Sequence, residues 1–464
     1  MHETYDVLII GGGFSGTILA CQLARYCTHD LTVGVVERKG EPGRGVAYGT
    51  AYEHHLLNVT ADGMSAFPES PNHFVDWLRE NFKDLARSNS FPPRRVFGQY
   101  VGETLSRACA DTFVNLKWIK DSVISIHRNG SLNTAECVSG IRLSAKYIVL
   151  ATGNFPPAEP LISKQGEKPI YALRPWSEEA LAAIPFGEAV LLLGSGLTAI
   201  DHALAFHAAG FRGHIYMLSR RGILPHVHCN RGYWPTEWIK SLPNTVRGVL
   251  RAVRREAGQA AQNGNDWRDV IDSLRPTSQN IWQGFPLEEK RRFLRHVRPY
   301  WEVHRHRYAP EVQRLLDNLR AVKRLTVIAG RVLDCSQESG AVLVRYRLRK
   351  TGEESKVRVC RIVNCTGPDA VLRDLRDPLI QSLIGQALAR PDPLSLGLDV
   401  APDGALIDRS GAPSRGLFTI GPPRKAALWE TTAVPEIRSQ AETLAKRLLA
   451  ELESTCDSQV SCHK

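Results

Sequence analysis

Two glycine-rich segments have the residue types and spacing that bind dinucleotides in proteins. Residues 11–16 read GGGFSG and satisfy G-x-G-x-x-G, and residues 194–199 read GSGLTA and satisfy G-x-G-x-x-A. In this motif the first glycine permits a tight turn, the second lets the backbone approach a pyrophosphate, and the third position keeps a helix close to a strand. The N-terminus of that helix offers N–H groups and a positive dipole end to phosphate. The predicted contacts are Gly11, Gly13, Phe14, Ser15 and Gly16 in the first segment, and Gly194, Gly196, Leu197, Thr198 and Ala199 in the second.

The residues that end the next strand differ in charge between the two segments. The first unit ends on Glu37, where a carboxylate accepts hydrogen bonds from ribose hydroxyls; Arg38 follows it as a further candidate. The second ends on Ser219, Arg220 and Arg221, which suit a 2′-phosphate that a carboxylate would repel. A solvated basic turn is the alternative interpretation of the arginine pair. The sequence therefore predicts FAD in the first unit and NADPH in the second, with hydride passing from nicotinamide to flavin.

A second glycine-rich loop follows the predicted ribose-binding strand. Residues 43–49 read GRGVAYG, and so many glycines imply unusual backbone angles or close approach to a ligand. We expect this segment to pass along the pyrophosphate and the ring system of the cofactor, with an ordinary surface loop as the alternative. The candidate contacts in and after it are Arg44, Gly45, Tyr48, Asn58, Met64 and Ser65.

Three further strands end in glycine, and the last of them precedes a helix. The strands ending at Gly153 and Gly367 share a Thr-Gly ending, and the one ending at Gly421 is followed by the segment WETTAVPE. A threonine cap, a proline and a glutamate suit a helix N-terminus, which would stabilise negative charge on a flavin pyrimidine. A merely well-capped terminal helix is the alternative. The candidate contacts are Thr152, Gly153, Gly367, Gly421, Trp429, Thr431, Thr432 and Val434.

These segments need an α/β scaffold made of two Rossmann-like dinucleotide-binding domains with a helical insertion. Residues 1–160 are predicted as the first part of an FAD-binding domain, 161–360 as an NAD(P)H-binding domain, and 361–464 as the second part of the FAD-binding domain. The segment 361–368, which repeats the strand-to-Thr-Gly ending, is expected to mark the return to the first domain. The predicted strands are 7–10, 31–36, a β-meander of 114–119, 123–127 and 141–143, then 147–150, 189–193, 214–218, 325–328, 341–348 and 357–359.

The predicted insertion, about 222–310, is rich in Arg, His and Trp, and could cap the nicotinamide side and shape a substrate pocket. Arginines recur there at about helical spacing and form one basic face, for which plain solvation is the alternative to a binding role. No residue in the chain is predicted as catalytic. Candidate pocket residues, each more typical of packing or surface, are Trp234, Trp282, Trp301, His226, His228 and His304; the basic face is Arg291, Arg292, Arg295 and Arg298.

Bulk composition limits the class of protein. A chain of 464 residues with 43% apolar and 23% charged residues is typical of a soluble protein of two or three domains. Neither a spanning segment nor a secretion signal is recognised, so a cytoplasmic location is expected. The net charge is +11, but no nucleic-acid-binding motif accompanies it. The charge therefore indicates a surface that binds an anionic cofactor or substrate. None of the ten cysteines forms C-x-x-C, which argues against a disulfide-reductase centre, and no metal site is predicted.

Several motifs in order resemble a known family: GGGFSG, GRGVAYG, HHLLNVTADGMSAFP, VLATGN, LLLGSGLTAID, NCTGPD and LWETTAVPEIRSQA. Together they resemble the bacterial FAD-NAD(P)-binding family, often called YdhS-like, whose broader relatives include N-hydroxylating flavin monooxygenases and two-domain disulfide reductases. The resemblance implies FAD on Gly11, Gly13, Gly16 and Glu37, and NAD(P)H on Gly194, Gly196 and Ala199. The chain departs from many relatives at Pro422, where they have an aspartate, and it lacks a Baeyer–Villiger fingerprint.

The expected function is an NADPH-dependent flavoenzyme. In the favoured version it is a monooxygenase that uses O2 and a flavin C4a-hydroperoxide to oxygenate a small, nucleophilic, amine-like substrate, a mechanism that needs a dry pocket more than acid–base side chains. One alternative is a flavin reductase or dehydrogenase that passes electrons to a quinone or a protein. Another is a flavin-bearing binding protein without turnover, because a fold alone does not fix function. No nucleic-acid partner or membrane span is expected, and the oligomeric state is not predicted.

Overall fold

Two sheets with parallel strands at their centres organise the chain. The computed structural model describes residues 2–110, 112–158, 172–182, 184, 187–229, 232–338, 340–372 and 375–461. The strands are β1 (His2–Ile10), β2 (Leu31–Val36), β3 (Val114–Ile119), β4 (Val123–Asn129), β5 (Leu132–Cys137), β6 (Arg142–Leu150), β7 (Val190–Leu193), β8 (Ile215–Ser219), β9 (Leu325–Glu338), β10 (Ala341–Leu348), β11 (Glu354–Val359), β12 (Arg361–Asn364), β13 (Ala405–Ile407) and β14 (Pro413–Thr419).

Helices cover the faces of both sheets and form the segment between β8 and β9. The helices are α1 (Phe14–Tyr26), α2 (Gly45–Tyr48), α3 (His73–Asn81), α4 (Arg94–Ala108), α5 (Glu178–Leu181), α6 (Leu197–Ala208), α7 (Val246–Gln262), α8 (Trp267–Ser273), α9 (Ser278–Gly284), α10 (Leu287–Arg292), α11 (Arg298–Arg305), α12 (Pro310–Ala321), α13 (Pro378–Gly385), α14 (Lys425–Leu428) and α15 (Val434–Ser461). A π-helix, Phe293–Val297, joins α10 to α11. No helix within these described ranges is both long and apolar enough to cross a membrane.

The first sheet has the strand order β13-β14-β6-β1-β2-β3, with the β4–β5 hairpin attached to β6. β1 pairs in parallel with β2 and β6, and β14 pairs in parallel with β6. Val7, Leu8 and Ile9 are wholly buried, which explains the continuous apolar run at this strand. Helices α1 and α15 share one apolar core on one face, and α13 packs in a second core on the other.

The β-meander predicted for residues 114–143 is wrong. β3 is instead the parallel edge partner of β2, and β5 lies in a hairpin that the sequence did not indicate. The segments predicted as 141–143 and 147–150 are the two ends of the single strand β6. Polar residues obscured its continuity: Ser144 hydrogen-bonds Thr134 of β5 at 2.9 Å, and the Lys146 ammonium donates to Asp6 at 3.0 Å.

The second sheet has the order β11-β10-β9-β8-β7-β12. Strands β7, β8, β9 and β12 are parallel, and β10 and β11 extend the sheet in antiparallel fashion. Because β12 pairs with β7, the predicted return to the first domain at residue 361 is too early. The next strand that joins the centre of the first sheet is β14.

Candidate dinucleotide-binding site

Each fingerprint packs its first glycine against the end of a neighbouring strand. Gly11 has φ +108°, and a Cβ there would lie 2.4 Å from the Ala151 carbonyl oxygen. Gly194 has φ +121°, and a Cβ there would lie 2.2 Å from the Cys365 carbonyl oxygen. Any side chain at either position would clash with backbone. The repeated Thr-Gly ending is therefore the strand end that supports a fingerprint, once in each sheet.

The first fingerprint forms a cradle that is open at the start of α1. Gly13 is the N-cap of that helix and supplies no side-chain cap, so the first N–H groups face outward from the turn. A Cβ on Gly16 would lie 1.9 Å from the Gly11 carbonyl oxygen, which explains the third glycine. The Gly12 N–H donates to Glu37 Oε2 at 2.8 Å and holds that carboxylate beside the turn. This geometry fits a pyrophosphate on the helix and a ribose on Glu37.

The loop at residues 43–49 lies directly against this cradle, and its contact with a cofactor stays a prediction. The Gly43 N–H donates to the Gly12 carbonyl oxygen at 2.9 Å, and a Cβ on Gly45 would lie 3.1 Å from the Gly13 Cα. The Tyr48 ring packs 6.1 Å from the Phe14 ring, centroid to centroid. Arg44 forms an ion pair with Glu41 at 2.7 Å on the solvent side.

Four other predicted contacts of the first unit lie in different surroundings. Met64 is 3% exposed within the core under α1 and α4. The buried Ser65 hydroxyl donates to backbone carbonyl oxygens. The Asn58 carbonyl oxygen lies 3.0 Å from His228 Nε2, facing the insertion, and Arg38 is exposed. For these residues a contact with the cofactor stays a prediction.

Thr152 provides a test of whether a cofactor fits the first cradle. Its hydroxyl is buried and has no hydrogen-bond partner among the described residues. A Cβ on Gly11 would lie 3.3 Å from the Thr152 backbone nitrogen, so Thr152 adjoins the same turn. A buried hydroxyl without a partner is costly, and a polar cofactor edge would satisfy it. The residues present therefore fit a bound dinucleotide.

The second fingerprint opens into a cleft of about 1150 Å³. Its walls include the second glycine motif, the turn after β8 and, from the side of the first sheet, Pro422 and Pro423. Ala199 lies beneath this surface, wholly buried. The predicted residues that line the cleft are Gly153, Gly194, Gly196, Leu197, Thr198, Ser219, Arg220, Arg221 and Gly367.

Arg221 provides a corresponding test for the second cofactor. Its Nε is buried and has no hydrogen-bond partner among the described residues, while Arg220 is exposed. The Ser219 hydroxyl accepts hydrogen bonds from Ser195 Oγ at 2.8 Å and from the Gly222 N–H at 3.0 Å, so it shapes the turn. An unsatisfied guanidinium donor at the carboxyl end of β8 suits the 2′-phosphate of NADPH.

Cations from distant parts of the chain also line the cleft. Arg295 and Arg298 contribute there, whereas Arg291 and Arg292 form ion pairs with glutamates on their own helix. Part of the basic face therefore serves the cleft, and part is solvated. Sequence reasoning missed two further cations, Arg331 on β9 and Lys425 on α14, because isolated basic residues carry no spacing signal; burial lowers the pKa of Lys425. The carboxylates of Glu302 and Asp369 also line the cleft.

The start of the last helix differs from its prediction. The Thr431 hydroxyl donates to the Gly421 carbonyl oxygen at 2.8 Å and accepts from Gln440 Nε2 at 2.9 Å, so it braces the strand end instead of capping α15. Glu436 does lie in the first turn, paired with Arg275 at 3.1 Å. Thr432 is exposed and Val434 is 2% exposed in the core.

Trp429, the remaining predicted contact in this segment, lines an apolar cavity of the insertion and not the cleft. Trp282 donates to the Ala426 carbonyl oxygen at 2.8 Å, Trp301 to Glu430 Oε1 at 3.2 Å, and Trp234 to Glu256 Oε2 at 3.3 Å. These tryptophans are thus packing residues with satisfied N–H groups.

The candidate histidines of the insertion are packed among aromatic rings. His226 lies 5.0 Å from the Trp267 ring and 4.6 Å from the His304 ring, centroid to centroid. Within the part of the chain that the structure describes, no three His, Cys, Asp or Glu side chains are grouped as metal ligands would be.

The comparisons with known proteins agree with this geometry. Residues 8–155 match the family model described as FAD-NAD(P)-binding, a span that holds the first fingerprint, Glu37 and Thr152. An uncharacterized protein of Mycobacterium tuberculosis is 23% identical and aligns over 97% of this chain and 96% of its own length. The narrower designation YdhS-like stays a prediction.

Solved flavoenzymes share the whole fold. The ornithine N-hydroxylase of Kutzneria sp. 744, solved with reduced FAD, NADP+ and L-ornithine, has a TM-score of 0.66 at 15% identity and covers 97% of this chain and 99% of its own. The cadaverine monooxygenase of Erwinia amylovora, solved with FAD, has a TM-score of 0.63 at 15% identity, covering 96% and 94%. The prediction of a two-dinucleotide-binding-domain flavoprotein fold is confirmed.

Proposed function

We propose that the protein is an FAD- and NADPH-dependent oxidoreductase, and specifically a monooxygenase of small amines. The observation that carries the proposal is the cleft in which the second fingerprint and Arg221 meet Gly153, Pro422 and Pro423 from the first sheet. Such a cleft lets a nicotinamide held on one domain approach a flavin held on the other. NADPH supplies hydride, and FAD accepts it and supplies the oxygen-activating chemistry.

The residues of the chain bind and orient the two cofactors. The N-terminus of α1 receives the FAD pyrophosphate, Glu37 accepts bonds from its ribose, and Thr152 donates to its polar edge. The N-terminus of α6, whose N-cap Gly196 also supplies no side-chain cap, receives the pyrophosphate of NADPH. Arg221 binds the 2′-phosphate, and the remaining cations of the cleft offset the charge of the dinucleotide.

An amine substrate is supported by the solved enzymes of this fold, which hydroxylate ornithine and oxidise cadaverine. Within the cleft, Asp369 supplies a carboxylate for a second ammonium of such a substrate, whereas Glu302 is paired with Arg298 at 2.8 Å. O2 is the expected co-substrate. A cytoplasmic location remains a prediction from the sequence.

Coupling of NADPH oxidation to amine oxygenation tests the proposal. The FAD-loaded protein would be given NADPH and O2, with ornithine, lysine or cadaverine as probes, and hydrogen peroxide and hydroxylamine products would be measured. We expect one amine to raise NADPH consumption, lower the peroxide yield and give a hydroxylated product. Rapid NADPH oxidation that depends on an added quinone, with no amine product, would favour the reductase alternative.

A further inference from the structure

The helical insertion encloses an apolar cavity separate from the dinucleotide cleft. Its volume is about 560 Å³, within the range of about 300–1,000 Å³ that is typical of small-molecule pockets. Its deep wall is formed by Trp282, Phe285 and Trp429, each less than a tenth exposed, and α7 contributes Leu250 and Val253. Because this cavity opens to solvent, its apolar walls lack hydrophobic stabilisation that a bound apolar group would supply.

The helix that includes the π-turn separates this cavity from the cleft. Phe293 and Val297 face the cavity, whereas Arg295 and Arg298 face the cleft. The π-helix Phe293–Val297 lies where the two faces diverge, and such insertions concentrate at functional sites. One element thus presents an apolar surface to one space and cations to the other.

Trp429 adds an independent observation from another part of the chain. It has φ +62°, an unfavourable backbone conformation for a bulky residue, and its ring centroid lies 5.0 Å from those of Trp282 and Phe293. Strained residues of this kind cluster at ligand sites. Here the unfavourable backbone conformation of Trp429 accompanies an indole ring that lines the cavity.

The mouth of the cavity is basic and aromatic. Arg254, His296 and Tyr300 are exposed there, and Arg254 has no ion-pair partner among the described residues. The Arg221 guanidinium lies 5.4 Å from the centre of the Tyr300 ring, which adds positive charge beside the opening. A ligand with an apolar body and an anionic end group would match both parts of this site.

We propose that this cavity binds an amphipathic small molecule, an apolar chain or ring system that ends in a carboxylate. The apolar body occupies the space between α7, the π-helix and Trp429, and the carboxylate lies at Arg254. The site is distinct from the dinucleotide cleft and does not depend on the proposed oxidoreductase activity.

Calorimetric titration of the full-length, FAD-loaded protein with dodecanoate and with neutral dodecanol tests the proposal. We expect saturable binding of dodecanoate, one per chain. Leu250→Trp or Val253→Trp should weaken it at least about tenfold, because the new ring occupies the cavity. Gln259→Trp, which places the same ring on the exposed face of α7 opposite the cavity, is the matched control and should leave binding unchanged.

The charge of the ligand is tested by a second pair of variants. Arg254→Ala should weaken dodecanoate about fivefold, as for an exposed ion pair, without affecting dodecanol. Arg251→Ala on the same helix should change neither. Far-UV circular dichroism and the thermal unfolding midpoint, measured in parallel, report folding of each variant. Absence of saturable dodecanoate binding, or binding that neither tryptophan variant weakens in folded protein, would contradict the proposed site. An equal effect of Arg254→Ala on dodecanoate and dodecanol would contradict the proposed carboxylate end of the ligand.

Discussion

Replacement of Arg221 by alanine should convert a preference for NADPH into indifference between NADPH and NADH. The Arg221 Nε is buried without a hydrogen-bond partner among the described residues, at the edge of the cleft. A hydrogen bond between charged groups in such a place contributes about 1.5–3 kcal/mol. At about 1.4 kcal/mol for each factor of ten, the variant should bind NADPH about 10- to 150-fold more weakly.

The assay is anaerobic bleaching of the flavin, followed at increasing NADPH and, separately, NADH. The NADPH concentration that gives half-maximal bleaching should rise about 10- to 150-fold. The corresponding NADH concentration and the limiting rate of bleaching should stay unchanged, because NADH lacks the 2′-phosphate. Arg220→Ala is the graded comparison: this side chain is exposed, so its loss should cost about 0.2–1 kcal/mol, or roughly fivefold or less. Equal losses for NADPH and NADH in the Arg221 variant, or no loss for either, would show that Arg221 does not bind the 2′-phosphate.

Three further predictions concern the scaffold. Gly11→Ala should yield protein without bound FAD, measured by absorbance, whereas Gly130→Ala, at positive φ with nothing within 4 Å of an added Cβ, should retain it. Arg94→Ala leaves the buried Asp201 carboxylate without its partner at 2.9 Å and should lower the free energy of unfolding by about 3–5 kcal/mol in denaturant titrations; an unchanged midpoint would contradict this. Burial lowers the pKa of His202 to about 4, so at any pH below about 6.5 the unfolded state binds more protons than the folded state. The free energy of unfolding should therefore decrease as the pH is lowered from about 6.5 to about 4. His202→Phe should reduce this pH dependence in the same denaturant titrations.

Local spacing made the two fingerprints predictable, because each depends on residues within one strand–turn–helix unit. The positions of Gly11 and Gly194 follow from backbone contacts that no other residue allows. Glu37 and Arg221 could equally be predicted as candidates from the sequence, since each closely follows the second strand of its unit.

Features that depend on tertiary packing were not predictable. Arg331 and Lys425 are single cations that only the fold brings to the cleft. Thr431 has the sequence context of a helix cap, yet its hydroxyl is used by Gly421 and Gln440. The sequence places β12 in the first domain because its Thr-Gly ending repeats that of β6, although the repetition arises from the same supporting role in the second sheet.

The apolar cavity of the insertion and the dinucleotide cleft are separate in the fold, although the sequence predicts a single pocket there. The sequence predicts that the insertion forms a pocket beside the nicotinamide, but its aromatic residues enclose a cavity of their own. The opposite face of its π-helix and α11 contributes to the cleft, together with Ile223 and Pro225 at the start of the insertion. This division explains why a basic helical face and a tryptophan-rich sequence occur in the same segment.

The proposed function requires that this chain hold FAD on its first domain and reduce it with NADPH held on its second. The most direct test is an anaerobic NADPH titration of the purified protein after reconstitution with FAD, read by the visible spectrum. We predict one bound FAD per chain and complete bleaching by NADPH at concentrations at least about tenfold below those needed for NADH. A protein that stays colourless with added FAD, or a bound flavin that neither nucleotide reduces, would contradict it.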